Sequence, residues 1–324
     1  MPEITKELEK RILVLDGAMG TVIQSHNLTE ADFRGNDFKN HKTLLKGNND
    51  LLSITQPNLI KNIHRNYIEA GCDIIETNTF SSTSIAMKDY DLQDYTYDLN
   101  FQSAKIAKEV CNEFNTNKYV AGSIGPTNKT ASISPDINDP SLRSITFDEL
   151  KSSYYDQICG LVEGGVDILL VETIFDTLNA KAALMAIQEY FEINGTQLPV
   201  MVSGTITDKS GRTLSGQTVK AFLISLSNFK LLSIGFNCAL GADQLLPHVR
   251  NLSRYSNFAI SAHPNAGLPN AFGEYDQSPE EMTSQIKKYF DENLLNIVGG
   301  CCGTSYEHIR QISLLAKKYK PRKL

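Results

Sequence analysis

The chain has 324 residues, 41% of them apolar and 21% charged, with a formal net charge of −6. It therefore lacks the basic footprint of a nucleic-acid binder and favours small, uncharged or amphoteric ligands. Its six cysteines, at 72, 111, 159, 238, 301 and 302, are too few and too scattered for a disulfide framework. The charged start, Met1-Pro2-Glu3-Ile4-Thr5-Lys6-Glu7-Leu8-Glu9-Lys10, carries no signal-type apolar region, and no later run approaches the ~18 apolar residues of a membrane span. The expected setting is cytoplasmic and reducing, with no membrane partner.

Eight short apolar runs, rich in Val and Ile and mostly closed by Gly, Asn, Thr or Asp, recur along the chain. They cover 12–16, 73–78, 119–123, 167–173, 199–204, 232–237, 258–263 and 295–299. Between most of them lie segments with apolar residues at helical spacing, such as Leu59, Ile60, Ile63, Tyr67 and Ile68, or Leu150, Tyr154, Ile158, Leu161 and Val162. Helix starts are marked by Thr146 or Asp148 before 149–163, by Ser278-Pro279-Glu280-Glu281 before 281–290, and by Ser305 before 306–319. Gly71, Gly164 and Gly165 sit where helix ends favour left-handed residues. Two polar excursions, 25–57 and 124–146, interrupt the rhythm, and loops of that length are usually functional or carry minor structure.

Continuous apolar strands alternating with amphipathic helices predict a parallel sheet covered by helices. Eight such units point to a (β/α)8 TIM barrel forming a single domain over 1–324. The competing architecture is an open doubly wound sheet. The turn after its first strand most often reads G-x-G-x-x-G, whereas Asp16-Gly17-Ala18-Met19-Gly20-Thr21 has the wrong spacing.

In a barrel the strand ends share one mouth, where active sites are built. The polar residues expected there are Asp16; Glu76, Thr77 and Asn78; Glu172 and Thr173; Ser203 and Thr205; Asn237 and Cys238; His263 and Asn265; and Cys301 and Cys302. Cys238, in Ile234-Gly235-Phe236-Asn237-Cys238, and the vicinal pair in Gly299-Gly300-Cys301-Cys302-Gly303-Thr304 end strands that flank the seventh. Three thiolates converging there make a tetrahedral zinc site with one open position, the mark of catalytic rather than structural zinc. The competing readings are a buried apolar cysteine at 238 and a strained disulfide or simple packing at 301–302. Cys72, Cys111 and Cys159 read as core. His263 is either a ligand or base or a structural residue. His64, His248 and His308 read as helix-surface residues, and His26 and His41 show no partner.

Asp16 and Glu172 each end an apolar strand in an acid, which suits an incoming cation such as an amino group. Equally open are a helix N-cap for Asp16 and a buried ion pair for Glu172. The exposed amides expected over Gly17, Ala18, Met19, Gly20 and Thr21 suit a carboxylate. Together they fit an amino acid zwitterion.

These residues carry a resemblance. Leu15-Asp16-Gly17-Ala18-Met19-Gly20-Thr21, Phe33-Arg34-Gly35, Lys46-Gly47-Asn48-Asn49-Asp50, Ile75-Glu76-Thr77-Asn78-Thr79-Phe80, Gly125-Pro126-Thr127-Asn128-Lys129-Thr130, Val171-Glu172-Thr173-Ile174-Phe175-Asp176-Thr177, Gly235-Phe236-Asn237-Cys238 and Gly299-Gly300-Cys301-Cys302-Gly303-Thr304 match collinearly. Over essentially its whole length the chain resembles the homocysteine-binding (homocysteine S-methyltransferase) barrel of cobalamin-dependent methionine synthases. The resemblance implies zinc on Cys238, Cys301 and Cys302, homocysteine sulfur as the incoming fourth ligand, and the amide oxygen of Asn265 on the zinc when substrate is absent. It also implies Asp16 and Glu172 at the amino acid end, with the Gly17–Thr21 amides on its carboxylate, and methylation of homocysteine to methionine. In that family folate, cobalamin and reactivation modules follow the barrel, whereas these 324 residues hold no D-x-H-x-x-G cobalamin signature. The expected donor is therefore methylcobalamin carried by another module or protein. The alternatives are a free donor such as S-methylmethionine or betaine, and a vicinal-dithiol redox or zinc-binding protein.

Overall fold

The computed structural model describes residues 3–207 and 210–324. Eight parallel strands form one sheet: β1 (Leu13–Val14), β2 (Ile74–Glu76), β3 (Tyr119–Ile124), β4 (Ile168–Ile174), β5 (Val200–Gly204), β6 (Ser233–Gly241), β7 (Ala259–Asn265) and β8 (Ile297–Val298). Neighbours run in chain order from β2 to β8, β8 pairs with β1, and a parallel bridge between Leu15 and Ile74 closes the circle. The Asp16 N–H donates to the Ile74 carbonyl at 3.0 Å across this seam. The expected (β/α)8 barrel is the observed fold, and the open sheet is excluded.

The helices are α1 (Glu3–Leu8), α2 (Met19–Ser25), α3 (Glu30–Arg34), α4 (Leu52–Thr55), α5 (Pro57–Glu69), α6 (Ser84–Met87), α7 (Thr96–Cys111), α8 (Phe147–Glu163), α9 (Thr177–Asn194), α10 (Val219–Leu226), α11 (Ala242–Tyr255), α12 (Pro279–Asp291) and α13 (Tyr306–Ala316). None of them is long and apolar enough to cross a membrane. Thr146 and Ser278 accept the N–H groups of Glu149 and Glu281 in capping boxes, so α8 starts earlier than its apolar spacing indicates and α12 takes Pro279 into its first turn. Gly71 and Gly165 are left-handed as expected. Gly164 is not: its φ is −73°, and it is needed for contact, since a Cβ there would lie 2.6 Å from Ala104 Cβ.

Side-chain alternation along the strands separates two cores. Leu13, Leu15, Ile74, Ala121, Ile168, Leu170, Met201, Ala259 and Ile297 fill the barrel interior, which Ile4 and Leu8 of α1 cover from below. The opposite faces pack against the helices. Two positions beyond the inward residues, on the same faces, come Glu76, Glu172 and Ser203, so the apolar interior gives way to a polar mouth. Asn237 and His263 point the same way, above Gly235 and Ser261. At Gly235 a Cβ would lie 2.0 Å from the Ser261 carbonyl oxygen, so only glycine allows β6 and β7 their close approach.

Several expectations shift. β1 and β8 are shorter than their apolar runs, while β6 and β7 extend into the mouth as far as Gly241 and Asn265. The first excursion is ordered by two charged residues. Arg34 donates to the carbonyls of Phe38 (3.3 Å), His41 (2.5 Å) and Thr43 (3.1 Å), and Glu30 accepts from the N–H groups of Leu45 (3.0 Å) and Lys46 (2.7 Å). His26 and His41 do have partners, the carbonyls of Val22 at 2.9 Å and Tyr90 at 2.7 Å. His248 is half-buried. His308 is buried and caps α13: its Nδ1 accepts from the Ser305 N–H at 3.1 Å and its Nε2 meets the Gln277 carbonyl at 3.0 Å.

His64 departs furthest from its surface reading. It shares the buried face of α5 with Ile60, Ile63, Tyr67 and Ile68, and neither ring nitrogen has a hydrogen-bond partner. Burial pushes its pKa down to about 4 from an ordinary 6.5, so the unfolded chain takes up a proton first as pH falls. Stability is then lost between pH 6.5 and 4, and linkage puts the loss at pH 5 at about 2 kcal/mol. Replacing His64→Leu is expected to stabilise the protein more at pH 5 than at pH 8, read from urea unfolding at both; an equal effect at the two pH values would contradict it.

Candidate active site

The mouth encloses a cavity of about 480 Å³. Asp16, Glu76, Glu172, His263, Cys238, Cys301 and Cys302 all line it, so the structure brings together the ends of strands 1, 2, 4, 6, 7 and 8. Among the described residues five acids line it, Asp16, Asp50, Glu76, Asp89 and Glu172, and no lysine or arginine does.

The cysteine turn is held from two sides. From β7, the Pro264 carbonyl accepts the Cys301 N–H at 2.9 Å, and the Ala266 N–H donates to the Cys302 carbonyl at 2.9 Å. From the segment that follows β1, the Asp16 carbonyl accepts the Gly300 N–H at 3.0 Å, and Thr21 Oγ1 in α2 accepts the Gly303 N–H at 3.0 Å. The Thr304 hydroxyl donates to the Cys301 carbonyl at 2.7 Å and accepts the Ala18 N–H at 3.1 Å. Gly303 has φ +79°, and a Cβ on it would lie 2.3 Å from Tyr275 Cβ.

Cys238 follows inward-facing Asn237, so strand alternation alone would aim it away from the mouth. Instead Cys238 and Ala239 have φ of +60° and +58°, and the β6–β7 register shifts between Asn237 and Gly241. This left-handed turn keeps the thiol in the mouth. The three Sγ atoms lie within 4.8 Å of one another, and those of Cys238 and Cys302 stand 3.7 Å apart. Two sulfurs each about 2.3 Å from a tetrahedral zinc would be separated by about 3.8 Å, so the geometry fits that ion. Contacts from the Cys238 and Cys301 thiols pull Cys302 down to about 3, while the same clustering pushes Cys301 well above the ordinary thiol range. A thiolate at Cys302 flanked by two thiols is a donor set primed for a soft cation.

Asn265 Oδ1 is buried with no hydrogen-bond partner, and its Nδ2 donates to the Tyr275 hydroxyl at 3.4 Å. The Tyr275 phenol also contacts the Cys302 sulfur. Tyr275 was not anticipated, because nothing in the spacing of a loop residue says where the loop folds.

Neither structural alternative for the two carboxylates is observed. Asp16 does not cap a helix: its Oδ2 accepts the Glu76 N–H at 3.0 Å across the seam. Glu172 has no cationic partner; its Oε1 accepts from Ser123 Oγ at 2.5 Å and its Oε2 from Asn237 Nδ2 at 3.2 Å. Half-buried Glu76 joins them, with Glu76, Glu172 and His263 offering polar atoms within 4.8 Å of each other. Burial pushes all three carboxyls up, reinforced by repulsion from Glu172 at Asp16 and Glu76. Burial also holds His263 down at about 3, so its imidazole is neutral, and Nε2 has no partner. Glu76 was visible in the sequence as a strand end, but nothing distinguished it from Thr77 and Asn78.

The amides at 17–21 divide. Ala18 N–H is taken by Thr304, whereas Met19, Gly20 and Thr21 form the first turn of α2 and have no intrahelical acceptor for their N–H groups. These three line the same cavity as the acids.

A family model described as homocysteine S-methyltransferase matches residues 13–315. Among solved structures, the homocysteine methyltransferase MmuM from Escherichia coli in its oxidized form superposes with a TM-score of 0.72 at 18% identity, covering 94% of this chain and 95% of that one. Its metallated form gives a TM-score of 0.72 at 19% identity over 94% and 96%. A 6-hydroxypseudooxynicotine amine oxidase from Pseudomonas geniculata reaches 0.52 at 11% identity, over 93% of this chain and 48% of that one. At such identities the superpositions establish the barrel, and one barrel hosts unrelated chemistries.

The crowded acids lead to a measurable trade. A carboxyl whose folded pKa is raised contributes stability that is fully present below its ordinary pKa and is lost as pH rises from there through the raised folded value. Glu76→Gln should therefore stabilise the protein against urea more at pH 7.5 than at pH 4, while weakening binding of an amine-bearing ligand. Equal stability of variant and wild type at pH 7.5 would show that the crowding carries no penalty.

Proposed function

The chain belongs to the homocysteine S-methyltransferase family, and on that premise we propose that it converts homocysteine to methionine at a zinc site, with the methyl group coming from methylcobalamin carried by another module or protein. The observation that carries the reading is the convergence of three sulfurs within 4.8 Å, two of them at the spacing of tetrahedral zinc, while the buried amide oxygen of Asn265, between the two residues that pin the cysteine turn, has no partner. The existence of a metallated form of the Escherichia coli homocysteine methyltransferase supports it.

In this reading Cys238, Cys301 and Cys302 would hold the zinc, with Asn265 Oδ1 as the resting fourth ligand; an ion held there would lower the pKa of an incoming thiol and so supply a nucleophilic sulfur at neutral pH. Asp16 and Glu172, joined by Glu76, receive the ammonium group of homocysteine. This single cation relieves part of the repulsion among the three acids. The first-turn amides of Met19, Gly20 and Thr21 receive its carboxylate, with Gly17 and Ala18 completing the turn. Buried, neutral His263 adds no positive charge to compete with the ammonium. So held, the homocysteine sulfur gives an electron pair to the methyl carbon, and the bond from methyl to donor breaks with its electrons leaving on the donor.

One observation favours a second reading of the donor. A cavity lined, among the described residues, by five acids and no lysine or arginine suits a small cation such as S-methylmethionine or betaine.

Purified protein is expected to hold about one zinc per chain. Cys302→Ala should keep the wild-type circular dichroism spectrum yet bind no zinc and transfer no methyl group. Turnover of homocysteine with free methylcobalamin, compared with S-methylmethionine and with betaine, separates the donors. A zinc-free protein with full activity would overturn the reading.

A further inference from the structure

We infer that Asn237 is a positioning residue whose side chain links the amine-binding carboxylate of Glu172 to the metal-ligating sulfur of Cys301. The inference rests on the zinc reading above and goes beyond it. Asn237 is fully buried. Its Oδ1 accepts two hydrogen bonds, from the Thr173 N–H at 3.0 Å and from Ser203 Oγ at 2.6 Å. That orients the amide, and its Nδ2 then faces Glu172 Oε2 at 3.2 Å, Thr173 Oγ1 at 2.8 Å and Cys301 Sγ at 4.0 Å.

The backbone around these contacts is strained on both sides of the bridge. Thr173 has φ +52°, where a β-branched residue is a genuine outlier, and Cys238 and Ala239 are left-handed as well. Strand pairing is interrupted at the same two places, between Val171 and Ile174 in β4 and after Asn237 in β6. Outliers of this kind persist only where surrounding contacts over-determine them, and they collect at functional sites. Here one side chain meets both: its oxygen fixes the strained Thr173 amide just after Glu172, and its own backbone leads into the strained Cys238.

The consequence is electronic as well as geometric. An N–H aimed at a thiolate stabilises the sulfur lone pair, and the same NH2 group is shared with the carboxylate that meets the ammonium. Ligand orientation by such outer partners is typically worth roughly 10- to 100-fold in metal affinity.

Cobalt(II)-loaded protein gives a readout independent of turnover, the thiolate-to-cobalt charge-transfer band. Asn237→Ala should move this band to lower energy and weaken zinc, measured by chelator competition, by roughly 10- to 100-fold. Asn237→Asp retains the acceptor oxygen and the size of the residue while removing the donor, and should move the band the same way. In the wild-type background Glu172→Gln should shift the band as well, and in the Asn237→Ala background that shift should vanish. Bands unmoved in both Asn237 variants, or an equal effect of Glu172→Gln in both backgrounds, would overturn the bridge and leave the zinc reading standing. A wild-type protein with no thiolate-to-cobalt band overturns both.

Discussion

The seam between the first and last strands is the constraint on which the molecule depends. β1 and β8 pair over only two residues each, so the backbone ladder that joins them is short. Closure is completed above the strands by the turns that follow them, through Gly300 N–H on the Asp16 carbonyl, Gly303 N–H on Thr21 Oγ1, and the Thr304 hydroxyl between Ala18 and Cys301. The two turns that complete the closure are the cysteine turn and the one proposed to hold the amino acid carboxylate. Gly299 belongs to the same seam, where a Cβ would lie 2.7 Å from Leu15 Cβ. Fold and site are thus fastened by one set of contacts.

Above the seam, alternation along the strands determines which chemistry faces inward. Apolar side chains fill the lower barrel, and two positions further on the same faces carry Glu76, Glu172, Ser203, Asn237 and His263. Collecting buried acids in a mouth where no described lysine or arginine lies beside them is unfavourable in the free protein, and the raised carboxyl pKa values record that. It is the arrangement expected where a cationic group arrives with the ligand, because stability given up at a site is returned as binding.

Much of this was legible in the chain. Strand interiors are apolar and their ends abruptly polar, so the barrel order and the placing of Cys238, Cys301 and Cys302 at neighbouring strand ends could be read from spacing, whereas the turn that aims Cys238 inward could not. Asp16 and Glu172 could be read as mouth residues, but their environment could not: the absence of a cationic partner at Glu172 depends on what the neighbouring strands bring. The harder cases share a cause. His64 lies in an amphipathic helix whose buried face is wider than the apolar residues alone define. Tyr275 reaches the thiols from a loop with no periodicity, and the left-handed backbone at Thr173, Cys238 and Ala239 is imposed by contacts distant in sequence. Helix and strand propensities do not encode such positions, since tertiary structure overrides local preference there.

Thr304 carries a consequence of its own. Its one hydroxyl touches the carbonyl of Cys301 and the amide of Ala18, so any displacement of one turn is felt by the other. On the reading proposed above, metal occupancy and amino acid binding are then thermodynamically linked, and linkage is reciprocal: whatever factor the metal adds to homocysteine affinity, homocysteine adds to metal affinity. Where that factor exceeds one, a cell limited in zinc would lose it first from idle copies of the protein, and those engaged with substrate would keep it longest.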